Sequence, residues 1–172
     1  GEIWWWESNR MIPISIFMRK EMERFRADYA ANLMLLDEQV GKIIQTLSFR
    51  KDAARTTIAL TADHGEMLGD HGLLYKSTFL QPSINVPFIV YDPKNKQGRE
   101  KYSTNPFNTT QALKLLLRGH KKGLSTSLLQ KYIKESTEAI IEYEQEMCYV
   151  GNKYKIMLNK LGEAEWAIDL LI

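Results

Sequence analysis

The stretch "TTIALTADHGEMLGDHGLLYKSTF", residues 56–79, joins a strand signal to two copies of Asp-His-Gly. Its first part, "TTIALTAD", is a short, β-branched and nearly continuous apolar run, which is typical of a strand buried on both faces. Asp63 and His64 follow at the carboxyl end of this predicted strand, and the second copy begins at Asp70, seven residues after the first. The stretch therefore predicts a strand that delivers polar side chains to a loop.

The segments around this stretch indicate an α/β fold. From about Met18 to Leu47, apolar residues recur at helical spacing, with no proline and one glycine, which predicts a long amphipathic helix. The apolar positions are Tyr29, Leu33, Leu36, Val40, Ile43, Ile44 and Leu47. A second apolar run, "NVPFIVYDP" at residues 85–93, predicts another strand with Pro87 near its start, where a missing N–H is tolerated.

The composition changes after Pro93. "KNKQGREKYSTNPFN" is polar, basic and rich in turn residues, and it predicts a boundary or a long surface connection. "TTQALKLLLRG" predicts a short helix with Gly119 at its C-terminal cap, and "STSLLQKYIKESTEAIIEYEQE" predicts a further helix. The runs in "MCYVGNKYKIMLNKLGEAEWAIDLL" are broken by Gly-Asn and "NKLGE", which predicts a small antiparallel sheet.

These segments predict a fold in two parts. Residues 1–93 are expected to form a partial, largely parallel central sheet flanked by helices. Residues 94–172 are expected to form a smaller α+β subdomain with antiparallel strands. With 172 residues, of which 44% are hydrophobic and 26% charged, the chain can bury a sizeable core.

Charge and hydropathy exclude several classes of partner. The net charge of +2 gives no general attraction to nucleic acid or to anionic membranes, and no apolar run approaches the roughly 18 residues of a membrane span. The clusters at Lys94, Lys96, Arg99, Lys101 and in "RGHKK" are interpreted as solvated loops. We therefore expect no nucleic acid and no membrane. The start, "GEIWWWESNR", has no signal-peptide pattern, which leaves a cytoplasmic or a periplasmic location open.

Position suggests the chemistry of Asp63 and His64. In open α/β sheets, ligands gather at the carboxyl ends of the strands, where side chains converge on one crevice. A carboxylate and an imidazole on adjacent residues are credible ligands for a divalent cation, and Gly65 allows a sharp turn beside them. The alternative is a local Asp turn with a hydrogen-bonded histidine. The residues alone leave both interpretations open.

A longer stretch, "LTADHGEMLGDHGLLYKSTFLQPSINVPFIVYDP", resembles the second metal-binding segment of the sulfatases. This family belongs to the alkaline phosphatase superfamily, together with phosphonate monoester hydrolases and related phosphodiesterases. Its pattern runs Asp-His or Asp-Asn, Gly, then Gly-Asp/Glu-His-Gly, then Lys, then an apolar strand with Val-Pro, and every element is present. "RADYAANLMLLDEQVGKIIQTL" and "YVGNKYKIMLNKLGEAEWAIDLL" are also similar to family segments, whereas "YSTNPFNTTQALKLLL" lacks the expected acidic residue and proline.

The resemblance implies roles for individual residues. Asp63 and His64 are expected to be ligands of a cation that polarises the sulfate or phosphate. Lys76, twelve residues after His64, is expected to place its ammonium on the anionic oxygens of the ester. His71 is expected either to shape its loop or to act as a substrate contact or general acid. Glu66 and Asp70 are interpreted as solvated or loop-bracing carboxylates.

The resemblance also implies a cofactor and a missing part. Asp-His resembles the branch that takes calcium or manganese, so the expected cofactor is a divalent metal ion. Sulfatases carry their nucleophile as formylglycine, made within C-x-P-x-R in an N-terminal half, and this chain has no such motif. Cys148, in "EMCYVG", is interpreted as a buried strand residue. Formylglycine is therefore expected only in a missing N-terminal half.

The chain is accordingly interpreted as the C-terminal portion of a sulfatase-type hydrolase, inactive alone. Residues 1–93 would be part of the catalytic domain, and its substrate would be a sulfate-ester small molecule or a glycan. Without the other half, an exposed sheet edge and the run "IWWWE" are expected to favour self-association. The alternatives are a phosphonate monoester or phosphodiester hydrolase and a non-catalytic sulfatase-like binding domain.

Overall fold

The computed structural model describes residues 12–13, 19–94, 102–121 and 126–170. These residues form a mixture of helices and strands, which confirms the α/β class. The chain divides into two compact units: Gly1–Thr56 with Thr61–Pro87, and Thr57–Leu60 with Phe88–Ile172. The domain boundary expected after Pro93 stays a prediction. Met18, the run "IWWWE" and Lys96, Arg99 and Lys101 lie outside the described residues.

The first unit is dominated by one long helix. Strand β1 spans Ile12–Pro13, helix α1 spans Arg19–Ser48, and a short 3-10 helix covers Ala53–Arg55. Helix α1 confirms the helical periodicity of the sequence. Many of its apolar side chains are nevertheless exposed, among them Leu33, Met34, Leu35, Leu36, Ile43 and Ile44. The helix therefore presents apolar surface that the described residues leave open to solvent.

The rest of this unit is the loop region. A 3-10 turn at Asp70–Gly72 leads into β3, Leu73–Leu74, and helix α2 follows at Gln81–Ile84. Strands β1 and β3 pair antiparallel. Met67, Leu74 and Phe79 are buried and supply the apolar interior of this region.

Two strands flank the loop region in sequence. Strand β2, Ile58–Thr61, and strand β4, Phe88–Tyr91, are neighbours in a two-stranded sheet. Both strands were predicted from their apolar runs, and Pro87 immediately precedes β4. The burial of β2 on both faces is not seen among the described residues, because Leu60 is 44% exposed. The largely parallel direction expected of a central sheet stays a prediction.

The second unit contains an antiparallel sheet and two helices. Helices α3, Thr109–Lys121, and α4, Ser127–Glu135, precede a four-stranded sheet. Its strands are β5, Glu138–Tyr143; β6, Glu146–Gly151; β7, Tyr154–Leu158; and β8, Ala164–Asp169. They lie in the order β5-β6-β7-β8, with each neighbouring pair antiparallel. The antiparallel C-terminal sheet predicted from the turn residues is confirmed.

One helix prediction is partly wrong. The stretch "STSLLQKYIKESTEAIIEYEQE" is helical only to Glu135, and its second part is strand β5. Ser136 has an extended backbone, and its hydroxyl donates a hydrogen bond to the Pro106 carbonyl over 2.6 Å, which turns the chain out of the helix. In β5, half-buried Ala139, Ile141 and Tyr143 alternate with exposed neighbours, which is the period of a strand.

The C-terminal sheet buries an unusual pair of side chains. Cys148 is fully buried, as interpreted from the sequence, and Lys155 is only 4% exposed. The Lys155 ammonium lies 6.0 Å from the centroid of the Trp166 ring, a cation–π arrangement. Burial lowers the pKa of Lys155 and raises the pKa of Cys148. Among the helices of the described residues, none has the length and apolar character needed to cross a membrane.

Candidate metal and substrate site

The candidate site starts where β2 ends. The backbone N–H of His64 donates to Oδ1 of Asp63 over 2.9 Å. On the other side, Nδ1 of the His64 ring lies 2.8 Å from the carbonyl oxygen of Gly65. A carbonyl can only accept, so Nδ1 carries the proton in the neutral ring and Nε2 keeps its lone pair. The local fold thus fixes which ring nitrogen is free to bind a cation.

The two candidate ligand atoms lie close together. Nε2 of His64 is 3.6 Å from Oδ2 of Asp63, and the side chains are 40% and 87% exposed, respectively. Two donors at this separation can both reach one cation at ligand distances of about 2.0 to 2.5 Å. The pair therefore fits a divalent cation as a partial ligand set. Searched over the described ranges, the chain has no group of three or more His, Cys, Asp or Glu side chains that could hold a metal.

The electrostatics of Asp63 also suit a cation ligand. The His64 backbone N–H, followed by the His64 charge, holds the pKa of Asp63 below its ordinary value, and the Lys76 charge adds a smaller effect in the same direction. The carboxylate is therefore ionised at neutral pH, the form that binds metals.

Gly65 is required by the packing of the loop against α2. Its backbone N–H donates to the Ser83 carbonyl over 2.7 Å. A Cβ atom added at residue 65 would collide with the carbonyl oxygen of Pro82. Only glycine allows the chain to pass this close to α2 directly after the Asp63–His64 pair.

The loop after Gly65 has an unusual backbone. Four of its non-glycine residues have a left-handed φ: Leu68 at 47°, His71 at 55°, Tyr75 at 66° and Ser77 at 72°. Each left-handed L-residue costs roughly 1–2 kcal/mol relative to the common conformations. The surrounding contacts must therefore compensate for this cost.

Two charged side chains supply such contacts. Oε1 of Glu66 accepts the backbone N–H of Tyr75 over 2.6 Å and that of Leu68 over 3.3 Å. From helix α1, Nε of Arg26 donates to the Leu68 carbonyl over 2.7 Å, and Nη2 lies 3.6 Å from Oδ1 of Asp70. Both carboxylates interpreted as loop-bracing thus make bracing contacts.

The predicted substrate residues lie on this braced loop. Lys76 is half-buried between the left-handed residues Tyr75 and Ser77, and His71 is exposed in the 3-10 turn. Sequence reasoning missed Arg26, which lies 42 residues before its partner Leu68. No spacing rule joins a helix residue to a loop at that distance, so the sequence carried no signal for this contact.

Comparison with known proteins assigns the chain to a family. The family model described as Sulfatase matches residues 5–116. The chain belongs to the sulfatase family, as its Asp-His-Gly segment predicted.

Curated relatives share this assignment. The chain is 30% identical over 137 residues to the choline-sulfatase of Rhizobium meliloti, a match covering 76% of this chain and 27% of that protein. It is 39% identical over 82 residues to human iduronate 2-sulfatase, covering 48% of this chain and 14% of that protein. The chain therefore spans only a minor part of the length of these relatives.

Solved structures show the same fold. A 2-O GAG sulfatase superimposes with a TM-score of 0.74 at 20% identity, covering 90% of this chain and 38% of that one. A second structure, in complex with its substrate D-glucosamine-2-N,6-O-disulfate, gives a TM-score of 0.68 at 17% identity, covering 87% of this chain and 34% of that one. At these identities the likeness establishes the fold.

Proposed function

We propose that this chain is the C-terminal portion of an enzyme that hydrolyses sulfate esters with the help of a divalent metal ion. The supporting observation is the pair of donor atoms on Asp63 and His64, 3.6 Å apart directly after β2. The Lys76 charge contributes to the lowered pKa of Asp63. A cation held by this pair, together with the Lys76 ammonium, would suit an anionic ester.

The metal-binding residues are Asp63 and His64. The sulfatase family generally uses a divalent metal ion, and the deprotonated carboxylate and the free Nε2 of the imidazole are suitable ligands for calcium or manganese. Calcium prefers oxygen ligands, whereas the imidazole favours manganese. When bound, such an ion polarises the ester and helps to activate the nucleophile.

Lys76 and His71 are the proposed catalytic residues. The Lys76 ammonium would contact the anionic oxygens of the ester and offset the negative charge that develops as the S–O bond breaks. The exposed imidazole of His71, on the same loop, would contact the substrate or protonate the leaving alcohol. Both roles require that the loop holds its backbone conformation.

The substrate class follows from the relatives. One relative is a choline-sulfatase, and one structural neighbour holds a sulfated glucosamine. We propose a sulfate ester of a small molecule or a glycan as the substrate here.

The remaining part of the enzyme would supply formylglycine. The chain covers 27% of the choline-sulfatase, and its sequence has neither C-x-P-x-R nor S-x-P-x-R. Helix α1 also exposes apolar side chains that a folded partner region would cover, including Met34 at 75% and Ile43 at 59% exposure. We therefore expect the chain to be inactive alone.

A second candidate is a non-catalytic sulfatase-like binding domain. It is favoured by the lack of the nucleophile motifs C-x-P-x-R and S-x-P-x-R in this sequence. The upstream reading frame separates the two proposals. An upstream C-x-P-x-R or S-x-P-x-R preceded by acidic residues supports the enzyme, whereas an upstream region without a nucleophile supports the binding domain.

Activity of the complete protein tests the enzyme directly. With 4-nitrophenyl sulfate as the substrate and Mn²⁺ or Ca²⁺ present, we expect release of nitrophenol, and Lys76→Ala should lower kcat/KM by about 100-fold or more. Leu161→Ala, a change at an exposed hairpin residue, serves as the control. Faster hydrolysis of the matching phosphate diester or phosphonate monoester would assign the protein to those hydrolases instead.

A further inference from the structure

Lys76 occupies a strained part of the backbone. It lies between Tyr75, with φ 66°, and Ser77, with φ 72°. L-residues rarely adopt these values, and such conformations persist only where neighbouring groups hold them. The direction of the Lys76 side chain therefore depends on contacts made by the residues beside it.

Glu66 contacts the residue directly before Lys76. Its Oε1 accepts the Tyr75 N–H over 2.6 Å, and the neighbouring Met67 N–H donates to the Tyr75 carbonyl over 2.8 Å. Both polar backbone groups of Tyr75 are thereby hydrogen-bonded to Glu66 and Met67, at the start of the loop. Hydrogen bonds to an ionised carboxylate are roughly twice as strong as neutral ones, so Glu66 holds the residue directly before Lys76.

The same carboxylate reaches the other strained end of the loop. Its Oε1 also accepts the Leu68 N–H over 3.3 Å, and Leu68 has a φ of 47°. The Leu68 carbonyl in turn accepts Nε–H of Arg26 over 2.7 Å. Glu66 and Arg26 therefore hold the two backbone groups of Leu68 and connect the loop to helix α1.

We propose that Glu66 is a positioning residue for Lys76, with Arg26 anchoring the same loop to helix α1. Glu66 acts through the backbone of Tyr75 and does not touch the substrate. The inference rests on the proposed role of Lys76 as the contact to the anionic ester. Without the carboxylate, Tyr75 leaves the left-handed region and the ammonium of Lys76 turns away from Asp63 and His64.

The competing role for Glu66 is that of a metal ligand. It lies two residues after His64, and a carboxylate there has a suitable charge. Binding a cation through Oε1 would compete with the hydrogen bonds to Tyr75 and Leu68. The two roles therefore differ in what Glu66→Gln does, because an amide oxygen still accepts N–H bonds but is a weaker metal ligand.

The first measurement is amide hydrogen exchange in this chain, followed by NMR. Glu66→Ala should speed the exchange of the Tyr75 amide by about tenfold, because its acceptor is lost. Glu66→Gln should leave that exchange near the wild-type rate. Unchanged exchange in Glu66→Ala overturns the proposal. Circular dichroism and the signal of the buried Met67 methyl group establish that each variant is folded.

The second measurement uses inorganic sulfate and Mn²⁺ as separate probes. In Glu66→Ala, the sulfate affinity read from the shifts of Lys76 should fall by roughly three- to tenfold, while the Mn²⁺ affinity at His64 stays unchanged. Glu66→Gln should resemble the wild type in both. Loss of Mn²⁺ affinity in Glu66→Gln overturns the positioning role in favour of a metal ligand.

The two measurements separate this inference from the proposed function. If the wild-type chain shows no sulfate-dependent shift at Lys76, the proposed substrate contact fails, while the Tyr75 exchange still decides whether Glu66 holds the loop. In the complete enzyme, a positioning role predicts that Glu66→Ala lowers kcat more than it raises KM, with recovery in Glu66→Gln. Equal loss in both variants would overturn it.

Discussion

Nε of Arg26 donates a hydrogen bond to the carbonyl oxygen of Leu68 over 2.7 Å, joining helix α1 to the loop that carries Lys76 across 42 residues of sequence. The guanidinium also lies 3.6 Å from the Asp70 carboxylate, with both side chains more than half exposed. Since exposed ion pairs contribute little, the bond to the Leu68 carbonyl is the stronger part of this contact. The loop that carries Lys76 is thus held by a residue far from it in the chain.

Replacement of Arg26 should destabilise this unit. Arg26→Ala is expected to lower the free energy of unfolding by about 1.5–3 kcal/mol, the range for hydrogen bonds to charged groups. Urea unfolding followed by circular dichroism measures it. Arg24→Ala is the matched control, because the exposed Arg24–Asp28 pair is worth roughly 1 kcal/mol or less. Equal losses in both variants would contradict the anchoring role.

Metal binding should depend on both residues of the Asp-His pair. Asp63→Asn and His64→Ala are each expected to lower the Mn²⁺ affinity by more than about tenfold, because each removes a ligand. Isothermal titration calorimetry on the chain measures the affinity. Asp37→Asn, at an exposed position of helix α1, is the control. An affinity that is unchanged in both site variants would place the cation elsewhere.

Two glycines should respond in opposite directions to the same change. Gly65→Ala forces a Cβ into the Pro82 carbonyl and should cost about 1–3 kcal/mol of unfolding free energy or more. Gly41→Ala, in α1 with open space at its Cβ, should instead stabilise the protein by about 1 kcal/mol. Thermal unfolding of both variants tests the prediction, which fails if Gly65→Ala is neutral.

Stability should depend on the protonation of Lys155. Its pKa is lowered in the fold by burial, so between that value and the ordinary 10.5 the unfolded chain binds more protons. The fold accommodates the neutral amine of Lys155 without penalty above pH 10.5. This stability is lost as the pH falls toward the folded pKa of Lys155, because the buried side chain then has to take up a proton. Lys155→Met should therefore stabilise the protein at neutral pH, and the gain should shrink as the pH approaches 10.5.

The stability contribution of Cys148, on the same sheet, should change with pH in the opposite direction. Its pKa is raised above 9.0 by burial, so its contribution is present below pH 9 and is lost as the pH rises further. Comparing urea unfolding of Lys155→Met and Cys148→Ala with the wild type from pH 7 to 10.5 separates the two groups. Parallel pH profiles for Lys155→Met and the wild type would refute the assignment to Lys155.

The exposed apolar face of helix α1 should favour self-association of the chain. We expect a mass that rises with concentration in analytical ultracentrifugation. Met34→Glu should shift the equilibrium toward the monomer, because a carboxylate at a side chain that is 75% exposed cannot be buried without cost. Leu161→Glu, at a residue that is 72% exposed in the β7–β8 connection, is the control. A wild-type chain that is monomeric at all concentrations would contradict this expectation.

Local sequence patterns predicted much of the fold because they concern residues that are close in the chain. The helical period predicted α1, the apolar runs predicted β2 and β4, and the turn residues predicted the antiparallel sheet. The same reasoning was wrong for β5, where "EAIIEY" follows a helix without proline or glycine. In this segment, the antiparallel backbone hydrogen bonds to β6, which are tertiary contacts, favoured the strand over the helix.

The sequence alone determined the family and the Asp63–His64 pair, since adjacent residues are neighbours in any fold. It did not determine the environment of that pair. The Glu66–Tyr75 bond and the Arg26–Leu68 bond exist only after the chain has closed on itself. The left-handed backbone at Tyr75 likewise contradicts local preference and persists because tertiary contacts offset its cost. The tertiary structure therefore decided how the loop that carries Lys76 is held, because those contacts join residues whose separation in sequence carries no pattern.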